Sequence, residues 1–287
     1  MKSTYLTNLL LLLIAILLLW LMTDSQQPQH VGSLADSFNN EAINHIVIQR
    51  RDQQNIVLHY NEQWRLVQPI NARANQTRIN LLLNLLQQPV QQVIPVTDNT
   101  NLADFGLQYP AVSVQFNQRK LAFGDTEPLT GYRYISYQHA LYLLNDDISP
   151  LLTASAGSFI DNRLLAQEKQ ITALHLPALQ TETGQQTDTL SIYQHGGSWK
   201  TESGSYSQDA LRQLLQSWQH AYAMQVVIAT DTAPPKDPVQ VRIDYADQSH
   251  SSFIVTLSDS NLILFDPESA LQYVFPATMY DTLFLVK

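Results

Sequence analysis

The hydrophobic pattern begins with one long apolar run and then changes to short alternating segments. Leu9 to Met22 is an unbroken apolar stretch, LLLLLIAILLLWLM. Together with Ser3 to Asn8 it has about twenty residues, enough for a helix to span the ~30 Å hydrocarbon core of a bilayer. We therefore predict one transmembrane helix over residues 4–22, within an anchor of residues 1–22.

The charges on either side of this run predict its orientation. Lys2 precedes the run and Asp24 follows it, and the positively charged side of such a segment stays in the cytoplasm. We expect a single-pass protein of the bacterial inner membrane with its C-terminal bulk in the periplasm. The alternative is a cleaved signal peptide, because the strictly apolar part is short. Thr23-Asp24-Ser25 is its possible cleavage site, but Thr and Ser are poorer there than Ala.

Residues 23–42 are polar and have no sustained period, which is typical of a linker that separates a folded part from the bilayer. The alternative to a linker throughout is a single helical turn, because Leu34 and Phe38 are four residues apart.

The rest of the chain repeats its apolar pattern. The strand pattern Ile43-x-x-Ile46-x-Ile48 recurs as Ile171-x-x-Leu174-x-Leu176. The helical pattern Leu82-x-x-Leu85-Leu86 recurs as Leu211-x-x-Leu214-Leu215, in the same order along the chain. The spacing of about 130 residues is a common domain size, so we predict a tandem duplication with repeats at 43–165 and 168–287.

Each repeat is predicted to be α+β, with a mainly antiparallel sheet and one main amphipathic helix. Short alternating segments joined by polar turns indicate an antiparallel meander. A helix follows it in both repeats, with Thr77 predicted as the N-cap in the first and Ser207 in the second. Further short strands follow each helix, and no regular βαβ alternation occurs.

Composition excludes several classes of protein. The chain has 16 Lys and Arg against 25 Asp and Glu, a formal charge of −9, and no cysteine. A nucleic-acid-binding role is not expected, because phosphate contacts need a basic surface. Disulfides and cysteine metal sites are impossible.

The sequence contains no local motif of catalytic or metal-binding chemistry. The eight histidines include no His-x-x-x-His or Glu-x-x-His spacing, and no P-loop, Gly-x-Ser-x-Gly elbow or dinucleotide fingerprint is present. We expect no catalytic residue, no cofactor and no metal. Tyr132 and Tyr134 share a face of a predicted strand and are the candidate partner contacts, since tyrosine is enriched at interfaces. Cross-strand aromatic packing is the alternative role for them.

Several segments in order resemble a known family. They are NEQWRLVQP at 61–69, the helix after it, LADFGLQYP at 102–110, the Tyr-rich hairpin at 132–144 and FIDNRL at 159–164. This pattern is similar to an uncharacterised, domain-of-unknown-function family of membrane-anchored bacterial envelope proteins. The resemblance is clearest over 46–165, and the second repeat departs from it. It implies an N-terminal anchor and genes that often neighbour those of gliding-motility-type ABC transporters, and it supplies no catalytic residue.

These observations favour a non-catalytic, membrane-anchored periplasmic interaction or scaffold module. The resemblance adds a role as an accessory of an ABC-type transport system, with a protein partner in the envelope. Two alternatives stay open. One is an envelope enzyme that acts on a cell-wall glycan, and the other is a ligand-binding module that uses the groove between the repeats.

Overall fold

The computed structural model describes residues 12–14, 32–38, 42–179, 188–202, 204–230, 236 and 238–286. Of the predicted anchor it describes only 12–14, a helical stretch with exposed side chains, so the transmembrane prediction lies almost wholly outside the described residues. Among the described residues, no helix has the length and hydropathy needed to cross a membrane.

The protein is α+β, with mostly antiparallel sheets and few helices. The elements of the first half are the 3-10 helix Leu34–Phe38, β1 His45–Arg50, β2 Ile56–Asn61, β3 Gln63–Gln68, β4 Ala72–Arg73, α1 Gln76–Leu85, β5 Gln92–Pro95, the 3-10 helix Leu102–Phe105, β6 Val112–Phe116, β7 Arg119–Thr126, β8 Arg133–Tyr137, β9 Ala140–Leu144, α2 Ser149–Thr153 and the 3-10 helix Ala156–Phe159. Those of the second half are β10 Ile171–Leu176, β11 Leu190–His195, β12 Ser198–Thr201, α3 Gln208–Gln219, β13 Gln225–Ile228, β14 Gln240–Tyr245, β15 His250–Leu257, β16 Asn261–Asp266, β17 Leu271–Pro276 and α4 Met279–Phe284.

The strands form two sheets. The first has the order β4-β3-β2-β1-β6-β7-β8-β9-β5, and the second has the order β12-β11-β10-β14-β15-β16-β17-β13. In each sheet the last strand of the opening meander lies at or next to one edge, and the strand after the main helix lies at the other edge. Hairpin pairs such as β8–β9 and β16–β17 are antiparallel. Burial alternates along β17, because successive side chains of a strand point to opposite faces of the sheet.

The described chain divides into two compact units. One comprises the described residues within 1–42, 83–114 and 119–148, and the other those within 43–82, 115–118 and 149–287. In the first unit, part of the predicted linker is folded. Leu34 is fully buried, and the Ala35 amide donates a hydrogen bond of 2.7 Å to the carbonyl of Leu86.

The two main helices begin with side-chain caps. As predicted, Ser207 caps α3, accepting a hydrogen bond from the Ala210 amide. In α1 the prediction of Thr77 was wrong. The cap is Asn75, whose Oδ1 accepts from the Arg78 amide at 3.2 Å. Asn and Thr are both capping residue types, and Asn ranks above Thr.

The edge strand β12 is covered by a side chain. Gly196 and Gly197 both have positive φ and form the two-residue turn between β11 and β12. On the open side of β12, Gln208 accepts a hydrogen bond from the Trp199 amide at 3.0 Å and donates one to the Trp199 carbonyl at 2.5 Å. Gln208 thereby satisfies backbone groups that an unpaired edge would otherwise offer to another chain.

We expect Gln208→Ala to accelerate hydrogen exchange of the Trp199 amide several-fold and to destabilise the chain by about 1 kcal/mol, the net value of an ordinary hydrogen bond. Exchange followed by NMR measures the first effect. Gln216→Ala, an exposed position on the same helix, is the control. An unchanged Trp199 exchange rate in Gln208→Ala would contradict this role.

Candidate functional site

A short segment of the second unit, residues 159–164, is hydrogen-bonded along both of its sides, and we call it the clamp segment. On one side the amide of Asp161 donates to the carbonyl of Arg73 at 2.8 Å, next to a bridge between Ala74 and Ile160. On the other side it bonds to residues 221–223, which follow α3. The amide of Leu164 donates to Ala221 and the amide of Ala223 donates to Asn162. The clamp segment therefore joins β4 to the chain after α3.

The side chain of Asn162 strengthens both sides of this junction. Its Oδ1 accepts a hydrogen bond from Asn75 Nδ2 at 3.0 Å, and its own Nδ2 donates to the carbonyl of Ala223 at 2.9 Å. Since Asn75 also caps α1, the clamp segment fixes the start of that helix as well.

Asp161 is the charged centre of the clamp segment. It is only 6% exposed, and it accepts hydrogen bonds from the Arg163 amide and from Arg163 Nε at 3.0–3.1 Å. Arg163 Nη2 lies 3.0 Å from Oδ2, and Arg73 Nη1 lies 3.8 Å from the same oxygen. The hydrogen bond to Asp161 raises the pKa of Arg163. A carboxylate this buried is tolerated because two guanidinium groups compensate it.

Arg73 connects the clamp segment to a neighbouring cleft. Its Nη2 donates to the carbonyl of Arg163 at 2.6 Å. The positive charge of its guanidinium partly offsets the rise that burial causes in the pKa of Tyr273. Burial likewise raises the pKa of Tyr245. Both phenols thus remain neutral hydroxyl groups at the floor of the cleft.

The cleft has a volume of about 310 Å³ and is lined by residues of β3, β4, the chain after the clamp segment and β14–β17. Its charged side chains are Arg65, Arg73, Lys169 and Asp266. Its hydroxyl groups belong to Tyr245, Ser249, Ser251, Ser269 and Tyr273. Sequence reasoning named none of these residues, because they lie far apart along the chain and form no local motif.

One corner of the cleft is an ion-paired cluster. Lys169 Nζ lies 2.8 Å from Ser249 Oγ, pairs with Asp247, and lies 5.5 Å from the centre of the Tyr245 ring. A Ser–Lys pair can act as nucleophile and base only if the amine is free to accept the serine proton. Here the ammonium is held by the Asp247 carboxylate, so the amine is not free to act as a base.

We expect the Asp247 carboxyl to titrate with a pKa of about 2, below its ordinary value of 3.8, because Lys169 and Ser249 donate hydrogen bonds to its charged form. A folded-state pKa below the unfolded value adds stability above pH 3.8, and that stability is lost as the pH falls towards 2. Lys169→Met should return the pKa towards 3.8, as measured by carbon-13 NMR titration. Lys200→Met, at an exposed position on β12, should leave it unchanged. A similar shift in both variants would contradict this assignment.

A second polar group lies on the surface of the second sheet. His175 Nδ1 is 3.1 Å from Ser191 Oγ, and His175 Nε2 is 3.2 Å from Asp244 Oδ2. These are the residue types of a hydrolytic triad. However, Arg242 donates to the other carboxylate oxygen at 2.9 Å, and the residues lie on neighbouring strands rather than in the cleft. We interpret the set as a cross-strand polar ladder, in which His175 is a half-buried histidine of β10.

The structure places Tyr132 and Tyr134 in the first unit, whereas the residues that line the cleft belong to the second unit. Both are half-buried. Tyr134 lies in β8, where its ring meets the ring of Phe105 edge-on at 4.9 Å, and Tyr132 precedes the strand. Their role as partner contacts stays a prediction. Within the described ranges, no group of three or more His, Asp or Glu side chains could hold a metal ion.

Comparison with known proteins gives one match. The family model of DUF4340, a domain of unknown function, matches residues 64–243. No curated protein and no solved structure matches the chain. The matched range begins at Trp64 in β3 and ends at Ile243 in β14, so it includes the clamp segment and part of the cleft. Since the match covers more than half of the sequence, the chain belongs to the DUF4340 family of proteins with a domain of unknown function.

Proposed function

We propose that the chain is a non-catalytic interaction module, anchored in the bacterial inner membrane by residues 4–22 and working in the periplasm with an ABC-type transport system. The charge order of Lys2 and Asp24 around the apolar run supports the location. The gene neighbourhood typical of the family that the sequence resembles supports the choice of partner.

The observation that carries the interaction role is a rigid, exposed surface beside the clamp segment. Tyr222 is 58% exposed and Met224 is 59% exposed. Ala221, which precedes Tyr222, and Ala223, which lies between the two exposed residues, are buried. In extended chain, alternate residues lie on the same side, so Tyr222 and Met224 both face outwards. Arg163, whose side chain is 37% exposed, pairs with Tyr222 through a backbone bridge. We call these three residues the Tyr222 surface.

The composition and rigidity of the Tyr222 surface suit a protein partner. Tyrosine, methionine and arginine are the residue types enriched in protein interfaces. Hydrogen bonds from the clamp segment hold the backbone on both sides of Tyr222. A surface that is already ordered loses less conformational entropy when it binds, which favours affinity.

We also propose that the two sheets arose by tandem duplication of one unit. The shared strand order supports this, because the second sheet repeats that of the first without a counterpart of β4. The matched sequence patterns support it too. Leu82 and Leu85 are buried on α1, and Leu211, Leu214 and Leu215 are buried on α3.

The location is tested by topology. We expect a C-terminal alkaline phosphatase fusion to the full chain to be active, and the mature protein in the membrane fraction to retain residues 1–22. An inactive fusion would contradict the periplasmic location, and a mature N-terminus at residue 26 would contradict the anchor.

A further inference from the structure

We propose that the cleft beside Arg73 binds a small organic oxyanion, a ligand with a carboxylate or phosphate group on an apolar or ring-shaped body. Arg65 is its main donor, and the positive charge of Arg73 on the neighbouring strand supports it. This site goes beyond the proposed interaction role and does not depend on it.

The first argument is the pairing of Arg65 and Arg73. The two residues are direct register partners across the antiparallel strands β3 and β4. Side chains directly opposite each other in such a pair have Cβ atoms about 5 Å apart, and like charges at this position repel. Both side chains line the same cleft. An anion held there between the two guanidinium groups removes the repulsion.

The second argument is the unused donor capacity of Arg65. Its Nε donates to Asn71 Oδ1 at 2.9 Å. Its terminal nitrogens have no hydrogen-bond partner and no ion pair among the described residues. Arg73 is also weakly compensated, because its Nη1 lies 3.8 Å from Asp161, which makes its shorter contacts with Arg163. The free terminal nitrogens of the Arg65 guanidinium match the geometry of carboxylate and phosphate oxygens.

The third argument is the charge of the lining compared with that of the chain. The cleft has three cationic side chains and one carboxylate, whereas the whole chain has 16 basic and 25 acidic residues. The one carboxylate, Asp266, accepts hydrogen bonds from the amides of Glu268 and Ser269 and from the Ser269 hydroxyl. The carboxylate oxygens of Asp266 are thus occupied by hydrogen bonds within its own turn. Lys169 is paired with Asp247, and Arg73 lies 3.8 Å from Asp161. Among the described residues, Arg65 is therefore the cation of the lining that no carboxylate compensates, and its charge attracts anions from solution.

The remaining walls suit the body of a small ligand. Neutral hydroxyl groups of Tyr245 and Ser251, joined by a 3.0 Å hydrogen bond, offer polar contacts. Leu164, Phe253 and Leu271 supply apolar surface. The volume of about 310 Å³ corresponds to a small molecule rather than to a folded partner.

Isothermal titration calorimetry on the full chain in detergent, at constant ionic strength, tests this site with three probes that share a ring. Benzoate presents a carboxylate, phenyl phosphate presents a phosphate, and benzyl alcohol is the neutral control. We expect at least one anion to bind at millimolar concentration or below and the alcohol not to bind. Whichever of benzoate and phenyl phosphate binds more tightly shows whether the oxyanion of the ligand is a carboxylate or a phosphate. No binding of either anion at about 10 mM, or equal binding of the alcohol, would overturn the proposal.

Variants separate the site from the fold. We expect Arg65→Gln to weaken anion binding at least tenfold and Arg65→Lys to weaken it less, because lysine keeps the charge without the planar fork. Arg78→Gln, a half-buried arginine on α1 that does not line the cleft, is the control and should bind as the wild type does. Melting temperatures of all three variants report folding. Unchanged anion affinity in folded Arg65→Gln would overturn the assignment of Arg65.

Discussion

Replacing Trp218 with alanine is expected to destabilise the protein by about 3–5 kcal/mol, the usual cost of deleting a large aromatic side chain from a core. Trp218 is fully buried on α3. Its Nε1–H donates to the carbonyl of Leu283 at 2.6 Å, and its ring meets that of Phe284 edge-on at 5.6 Å. The substitution leaves a cavity between α3 and α4 and an unpaired buried carbonyl. A loss of this size is a large share of the roughly 5–15 kcal/mol that stabilises a typical domain.

Chemical denaturation of the full chain, followed by circular dichroism, measures this loss. Trp218→Phe keeps one aromatic ring but removes the hydrogen-bond donor and part of the buried indole volume, so we expect an intermediate loss of about 1–3 kcal/mol. Trp199→Ala is the matched control, since Trp199 is only half-buried and its backbone makes the contacts with Gln208. Equal destabilisation by Trp218→Ala and Trp199→Ala would show that Trp218 is not a core residue.

Replacing Asp161 with alanine is expected to cost about 2–3 kcal/mol, the upper range for hydrogen bonds to charged groups. The change removes the acceptor of Arg163 and leaves Arg73 without its nearest carboxylate. A larger cost, typical of fully buried pairs, is not expected, because the Arg73 and Arg163 side chains are 23% and 37% exposed and retain contact with water. We also expect the clamp segment to open more often.

Denaturation measures the stability of this variant, and limited proteolysis between 159 and 164 measures how often the clamp segment opens. Asp209→Ala is the control. Its carboxylate also pairs with an arginine, Arg212, but it is 95% exposed, and such pairs contribute about 0.3–0.5 kcal/mol. A loss in Asp161→Ala no greater than that in Asp209→Ala would contradict a structural role for the clamp segment.

The sequence predicted best those elements whose capping and core residues lie close together along the chain. The helix α3 has its cap at Ser207 and its buried leucines at helical spacing, all within twelve residues of each other, and both features are confirmed. The strands β5 and β13 were missed. Each has four residues, and their partners lie about fifty residues further along the chain, so local pattern gives no sign of the pairing.

The sequence shows only the local part of the clamp segment. One residue separates Asp161 from Arg163, which places the two side chains within reach of each other, and they pair in the structure. Arg73 was missed, since it lies in a two-residue strand far from Asp161 in sequence. The cleft was likewise invisible, because the tertiary fold alone brings Arg65, Lys169 and Tyr273 together.

Photo-crosslinking in intact cells tests the central claim, the interaction role, most directly. A benzophenone amino acid replaces Tyr222 in the full-length protein, and the same substitution at Tyr206, which is 44% exposed, is the control. We predict that position 222 crosslinks to a subunit of an ABC-type transporter, that position 206 does not, and that adding Arg163→Ala lowers the yield several-fold. Crosslinking at position 222 that does not exceed that at position 206, or that reaches no transporter subunit, would contradict the account.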